Sequence, residues 1–371
     1  MKVLVLSCGT GGGHNSAAKA VVEGLIANNV QADFKEYLEI INVKTSKMVN
    51  KLYIKSTTGK GRVFKRVYKI GVLYDKTKLI SPVYSLNSLT KRKLYNYIKE
   101  NNYDYIVTTH LFAAQALTAI KKKHKDIHFI EICTDYTYIP FWKETNPDYI
   151  VIPDKELEKD FINKGMNKKN IIPIGIPVAK AFSSELEREK CFADLKLDIN
   201  KQYILIMTGS MGFGNTLEII DKLSQNITQT CLVLCGNNKR MKEEITEKYH
   251  NNKVVAIGFT TKTSEYMKVC EVLLTKPGGL TTTEAATINI PIIHTMPIPG
   301  CENCNADFFQ ERGMSINCKT VQEICNETQK LLKNKELREK MIENQKKHIN
   351  KNTTEKICEL IIQEIEKTRG A

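Results

Sequence analysis

Residues 2–18 read KVLVLSCGTGGGHNSAA. The first six are too few for a helix and almost unbroken in apolar character, which is the pattern of a strand buried on both faces. Four glycines between Gly9 and Gly13 follow at once, and a helix is expected to begin just after Gly13. Strand, glycine loop and helix form the unit of doubly wound parallel sheets, which bind ligands where their strands end.

Outward from this unit the scheme continues. A strand near Ala32 to Tyr37 and then YDYIVTT, HFIEICT and DYIVIP read as buried strands with helices between them. Asp154 is placed to cap the helical segment ELEKDFINKG, which should stop at Gly165. After IIPIGIPV the chain loosens into a charged stretch between Val178 and Gln202, and YILIMT opens a second series with CLVLC, KVVAIGF, EVLLT and PIIHT. Helices are expected around Met241, Tyr266, Glu284, Phe308 and Leu331. The expected class is therefore α/β, with domains over residues 1–178 and 179–350. From Thr353 to Lys367 apolar residues recur at helical spacing, so residues 351–371 should form a helix that packs back on the first domain.

A chain of 371 residues exceeds what one core usually serves, and 42% hydrophobic with 26% charged residues is ordinary globular composition. No apolar run approaches the roughly 18 residues of a membrane span. Met1 to Leu6 leads directly into glycines where a leader would carry charge, an apolar run and a cleavage site, so the cytoplasm is the expected compartment. Eleven cysteines, an odd number spread from Cys8 to Cys358, fit reduced thiols. Cys301 and Cys304 have CxxC spacing, but no second pair and no paired histidine completes a metal site, and none is expected.

The net charge of +14 is concentrated. Between Lys44 and Glu100 stand fifteen Lys or Arg against Asp75 and Glu100, an excess of thirteen positive charges. Lys60, Arg62, Lys65, Arg66 and Lys69 are interleaved with Phe64, Tyr68 and Tyr74, and FKRVYKIGVLY is amphipathic and basic. This suits an anionic membrane surface first, a solvated helical face second and a nucleic-acid footprint third.

Four strand ends carry the candidate chemistry. At the first, Gly11, Gly12 and Gly13 allow close approach of a ligand, and His14 stands where a dinucleotide fingerprint would have its third glycine. His14 either takes a proton from a hydroxyl or braces the loop. At the second, EICTDYTYIPFW, Asp135 either orients the histidine or a substrate or caps a helix. At the third, MTGSMGFGN, Gly209, Ser210, Met211, Gly212 and Gly214 suit a diphosphate cradle. The fourth and most specific is TKPGGLTTTEAATINIPIIHTMPIPGCENCNADFF. Pro277, Gly278 and Gly279 make a turn, Leu280 and Thr281 open a helix that carries Glu284, and Gly300, Cys301, Glu302 and Asn305 follow the next strand. Carboxylates and amides so placed bind vicinal sugar hydroxyls, while the helix start faces phosphate.

GGGH, TDY at Thr134 to Tyr136, GIPV at Gly175 to Val178, KPGGLTTTEA and PIPGxExxN, in this order over nearly the whole chain, resemble the family of monogalactosyldiacylglycerol synthases and processive diacylglycerol glycosyltransferases. The peptidoglycan N-acetylglucosaminyltransferase is a more distant relative. The resemblance implies a GT-B fold, two Rossmann-like domains facing across a cleft, the first for an acceptor and the second for a donor. It implies a UDP-hexose donor, glucose or galactose, and diacylglycerol or a glycosyl-diacylglycerol as acceptor, with inversion to a β-linkage. His14 maps to the family's base, Glu284 to the ribose contact, Gly258 and Phe259 to the uracil contact, and Glu302 and Asn305 to the hexose contact. The pattern departs in two places: Cys301 stands where the family usually has Gln, and in the TDY segment Tyr138 and Trp142 appear where relatives often carry a nearby histidine. No Asp-x-Asp motif is present to hold a metal, so backbone donors and helix starts are expected to meet the leaving group's charge. The expected placing is peripheral, on the cytoplasmic face of the cell membrane, with no nucleic acid as partner. The rival readings are a peptidoglycan-type transferase acting on a polyprenyl-linked acceptor and a UDP-sugar epimerase.

Overall fold

The computed structural model describes residues 1–9, 12–42, 62–75, 77, 79–207, 216–250, 253–297 and 300–370, with the side chains of residues 62–68 and 370 outside the description. The chain forms two compact units. One takes the described residues up to Lys180, Arg62 excepted, together with those from Lys351 onward, and the other takes Arg62 and Ala181–Asn350.

The first unit runs through β1 (Lys2–Ser7), α1 (Gly12–Ala27), β2 (Gln31–Glu36), α2 (Tyr37–Ile41), α3 (Arg62–Asp75), α4 (Pro82–Leu89) and α5 (Lys91–Glu100). It continues with β3 (Tyr105–Thr108), α6 (Leu111–Lys121), β4 (Phe129–Ile132), β5 (Tyr149–Ile152), α7 (Glu158–Asn163) and β6 (Ile171–Pro173) before α8 (Lys180–Ser183). The second unit contains α9 (Arg188–Leu195), β7 (Tyr203–Met207), α10 (Thr216–Asn226), β8 (Thr230–Gly236), α11 (Lys239–Lys248), β9 (Val254–Gly258) and α12 (Thr263–Val269). There follow β10 (Val272–Thr275), α13 (Gly279–Ile288), β11 (Ile292–His294), α14 (Cys301–Glu311), β12 (Ile316–Asn317), α15 (Val321–Lys333) and α16 (Lys335–His348), and α17 (Thr353–Gly370) returns to the first unit.

The first sheet has the order β2-β1-β3-β4-β5-β6 and the second β12-β11-β10-β7-β8-β9. Every pairing in both is parallel. Parallel strands covered on both faces need continuous apolar sequence, which is what Val3 to Leu6, Ile204 to Ile206 and Val272 to Leu274 supply. In each sheet the strand order reverses beside the first strand, between β1 and β3 and between β7 and β10. Those switch points, at the strands' carboxyl ends, are where such sheets leave room for a ligand.

Two cores flank the first sheet. On one face α1 and α17 cover it, with Ile357, Cys358, Ile361 and Ile365 packed among Val3, Val5, Val21 and Leu25. On the other, Leu94, Ile98 and Leu117 from α5 and α6 pack with Leu4, Leu6 and Phe129. Thr354 closes the junction: its hydroxyl donates to the Val178 carbonyl at 2.7 Å and accepts from the Val178 amide at 3.1 Å.

Several local signals act as the sequence indicates. Asp154 accepts the Glu156 amide at 2.8 Å and caps the turn leading into α7, and Gly165 ends the segment with φ +92. The start of α1 differs by two residues, because Gly12 and Gly13 already belong to its first turn. They therefore present helix-start amides, which have no partner within the helix. The short edge strand β12 carries no strand-length apolar run, and its two residues complete the sheet beside β11. Among the described residues no helix is long and apolar enough to cross a membrane, and no cluster of three or more His, Cys, Asp or Glu is arranged to hold a metal. None of the eleven cysteines is in a disulfide, and all but Cys301 and Cys304 are buried.

Candidate active site

At the first switch point α1 brings His14 against the end of β3. Nδ1 of His14 lies 2.9 Å from the Thr109 carbonyl and 2.8 Å from Oγ1 of Thr134, and the Thr109 hydroxyl donates to the His14 carbonyl at 3.0 Å. A carbonyl can only accept, so this geometry assigns the proton to Nδ1 and leaves Nε2 with the lone pair. Desolvation lowers the His14 pKa, while the nearby charge of Asp135 and the Thr109 carbonyl act in the opposite direction. The ring is thus neutral near pH 7, the form a base requires.

His110 packs edge-on against His14 with ring centres 4.8 Å apart. It caps α6 by accepting the Phe112 amide at Nδ1, 3.2 Å away, and burial lowers its pKa well below the usual value. Two neutral imidazoles therefore share this corner. Asp135 follows β4 in irregular chain, so it caps no helix; the sequence left that alternative open. Thr109, His110 and Thr134 complete the corner, and the signal for the first two was the polar TTH that ends an apolar strand.

At the second switch point β10 ends at Thr275, whose hydroxyl donates to the Met207 carbonyl at 2.9 Å and so ties β10 to β7. Pro277 and Gly278 turn the chain into α13, where Gly278 occupies the N-cap without a side-chain cap and leaves the first amides of Gly279, Leu280 and Thr281 available. Asn305 is fully buried and donates to the Pro277 carbonyl at 3.0 Å, bracing that turn. Behind the helix, Thr282 meets Nε2 of His294 at 3.2 Å, and the other imidazole nitrogen lies 3.0 Å from Asn317 and 3.1 Å from Ser315. Burial holds the His294 pKa down at about 4, so this histidine is a neutral brace.

Glu284 sits one turn into α13. Burial pushes its pKa up to about 8, and among the described residues no side chain or backbone group pairs with it. A half-buried carboxylate without a protein partner is costly unless a ligand supplies the donors. Gly300 opens α14 with φ +135 and ψ −130, a conformation open essentially to glycine, and so aims the first turn of that helix. Glu302 there is engaged with Lys276 at 2.9 Å. Gly258 ends edge strand β9, and the Phe259 side chain is 72% exposed. Gly11, Lys60 and the stretch with Gly209, Ser210, Met211, Gly212 and Gly214 lie outside the described residues, as do the side chains of Arg62, Lys65 and Arg66.

Lys69 is exposed on α3. Around it, Ile70, Leu73, Leu79, Ile80, Leu86 and Leu89 are each 62–79% exposed. Half of the large exposed apolar side chains among the described residues thus fall in one twenty-residue stretch of the basic segment.

Residues 14–178 match the family model described as monogalactosyldiacylglycerol (MGDG) synthase, and residues 196–348 match the model for glycosyl transferases group 1. The chain is 27% identical to the processive diacylglycerol beta-glucosyltransferase of Bacillus pumilus (strain SAFR-032), over 98% of this chain and 95% of that protein. It is 28% identical to the protein so named in Bacillus licheniformis, with the same coverage of both chains. Among solved structures it resembles MurG of Acinetobacter baumannii with a TM-score of 0.62 at 17% identity, over 98% of this chain and 99% of that one. The chain is thus a glycosyltransferase of the GT-B fold, its first half similar to monogalactosyldiacylglycerol synthases and its second half to glycosyl transferases group 1.

Proposed function

We propose that this protein transfers a hexose from a UDP-sugar to the hydroxyl of diacylglycerol or a glycosyl-diacylglycerol, with inversion to a β-linkage. The observation that carries the reading is the neutral His14, whose Nδ1 is held by the Thr109 carbonyl and whose Nε2 keeps its lone pair at the head of a glycine-led helix. Nε2 takes the acceptor proton as the oxygen attacks the anomeric carbon, and Asp135 stabilises the imidazolium that forms. The second unit holds the donor: Glu284 accepts the ribose hydroxyls, backbone at Gly258 and Phe259 meets the uracil, and Glu302 reaches the hexose. The amides at the start of α13 meet the diphosphate charge as the bond to the sugar breaks, with no metal in the step.

The acceptor is a lipid, and the basic segment with its exposed apolar residues docks on an anionic membrane, at its cytoplasmic face. Each Lys or Arg near such a surface adds about 1 kcal/mol, screened by salt. The deciding assay presents the purified protein with diacylglycerol vesicles and UDP-glucose, UDP-galactose or UDP-N-acetylglucosamine in turn. A β-hexosyl-diacylglycerol from one of the first two is expected. Transfer only from the third, or donor interconversion without lipid, would replace the reading with one of its rivals.

A further inference from the structure

The loop between β4 and β5 carries Thr134 and Asp135 near its start and has Phe141 at its centre with φ +78. A phenylalanine keeps that left-handed conformation only where its surroundings impose it. The imposing groups come from α3. Asp75, the last residue of that helix, is 3% exposed and accepts the Phe141 amide at 2.9 Å and the Tyr138 hydroxyl at 3.4 Å. Lys143 and Lys164 lie 3.7 and 3.4 Å from its carboxylate, and Lys143 also donates to the Asp75 carbonyl and, at 3.1 Å, to the Thr77 carbonyl. Gly71 faces the same turn closely enough that a Cβ there would stand 3.7 Å from both Pro140 and Phe141. The Tyr74 ring meets Phe141 at 6.2 Å.

A second carboxylate repeats the arrangement with α4. Glu144, near the end of the same loop, accepts the amide and the hydroxyl of Ser81 at 2.6 Å each and Nε2 of Gln115 at 2.9 Å. Ser81 in turn caps α4 through the Tyr84 amide at 3.0 Å. Both helices that carry the exposed apolar residues are therefore fastened to one loop through carboxylates, of which Asp75 is buried. Adhesion to a surface needs only the outward face. Burying a carboxylate under it costs free energy unless the pairing serves something else.

We propose that Asp75 and Glu144 are positioning residues that transmit the engagement of α3 and α4 with a lipid surface to the β4–β5 loop, and so set Thr134 and Asp135 against His14. The inference rests on the docking reading above. The test measures turnover of UDP-glucose by the full chain on phosphatidylglycerol vesicles containing dioleoylglycerol and on dispersed dihexanoylglycerol, with vesicle sedimentation alongside. The wild type is expected to turn over at least about 10-fold faster on vesicles. Asp75→Ala should sediment like the wild type and keep its donor KM and dispersed-acceptor rate within about two-fold, yet lose the vesicle stimulation. Asp75→Asn keeps an acceptor for the Phe141 amide and should recover part of it. If Asp75→Ala does not fold, Glu144→Gln carries the same comparison through the second contact. A wild type that fails to sediment sinks the docking reading and this inference with it. Normal sedimentation with full stimulation in the variants, or an equal loss on both acceptors, sinks this inference alone.

Discussion

The Thr109 carbonyl lies 2.9 Å from Nδ1 of His14, and the end of β3 thereby fixes which nitrogen of a histidine on α1 is free to act. The contact spans the point where the strand order of the first sheet reverses, so the parallel topology itself brings the pair together.

Removing the base should therefore separate chemistry from binding. His14→Ala is expected to lower kcat by about 100- to 10,000-fold and leave donor KM within about two-fold. In the wild type the acid limb of the kcat/KM profile should fall below pH 6.5, because burial lowers the His14 pKa. Asp135 acts to raise that pKa, so Asp135→Asn should move the limb to still lower pH and depress the plateau. A limb that moved upward in this variant would remove Asp135 from its assigned relation to His14.

Glu284, with its pKa raised to about 8, is largely protonated at neutral pH in the free protein. Ribose hydroxyls donating to it favour the ionised form, so UDP-sugar binding at pH 7 should release a proton. Calorimetry in buffers of different ionisation enthalpy measures that release, and Glu284→Gln should abolish it. Glu284→Ala should weaken UDP binding by about 1–3 kcal/mol, the cost of leaving the hydroxyls unpaired. Binding unchanged in both variants would relocate the donor.

Glu131 on β4 is buried, with one oxygen accepting the Thr145 hydroxyl at 2.7 Å and the other without a partner among the described residues. Burial raises its pKa to about 8, above the ordinary carboxylate range. The sign follows directly: an unfolded chain ionises this group from about pH 4.5 upward, while the fold keeps it protonated to about 8. The stability it confers is complete at low pH and is lost across that window, at roughly 1.4 kcal/mol per pH unit. Thermal melts of Glu131→Gln should thus track the wild type at pH 4 and gain on it progressively to pH 8. A constant offset between the two would contradict the assignment.

A Cβ at Gly24 would stand 2.7 Å from Sγ of Cys358 and 3.1 Å from the Thr354 methyl, so α1 and α17 touch where only glycine fits. Gly24→Ala should cost about 1–3 kcal/mol through overpacking, despite the better helix propensity of alanine. Chemical denaturation measures it, and a stabilised variant would refute the close contact.

The strands of both sheets were legible because buried parallel strands need apolar runs, and the glycine loops stood out because few other sequences permit those turns. The candidate residues at the strand ends were readable for the same reason: His14, Asp135 and Glu284 each interrupt an otherwise small or apolar pattern. What the sequence hid were the supporting contacts. Nothing adjacent in the chain links Asp75 to Phe141, 66 residues away, or His294 to Thr282 behind α13. The motif places Asn305 toward the sugar, but it gives no sign that the amide also braces the Pro277 carbonyl, a pairing set by packing depth, to which spacing is blind.

The helix at Thr353–Gly370 supplies core to a unit whose other strands were all made before residue 180. On the ribosome the later unit, contiguous in sequence, can close while the earlier one still waits with a bare apolar flank. A chain ended at Lys351 should therefore lose protease resistance over residues 1–180 while residues 181–350 keep theirs, an order of maturation opposite to the order of synthesis.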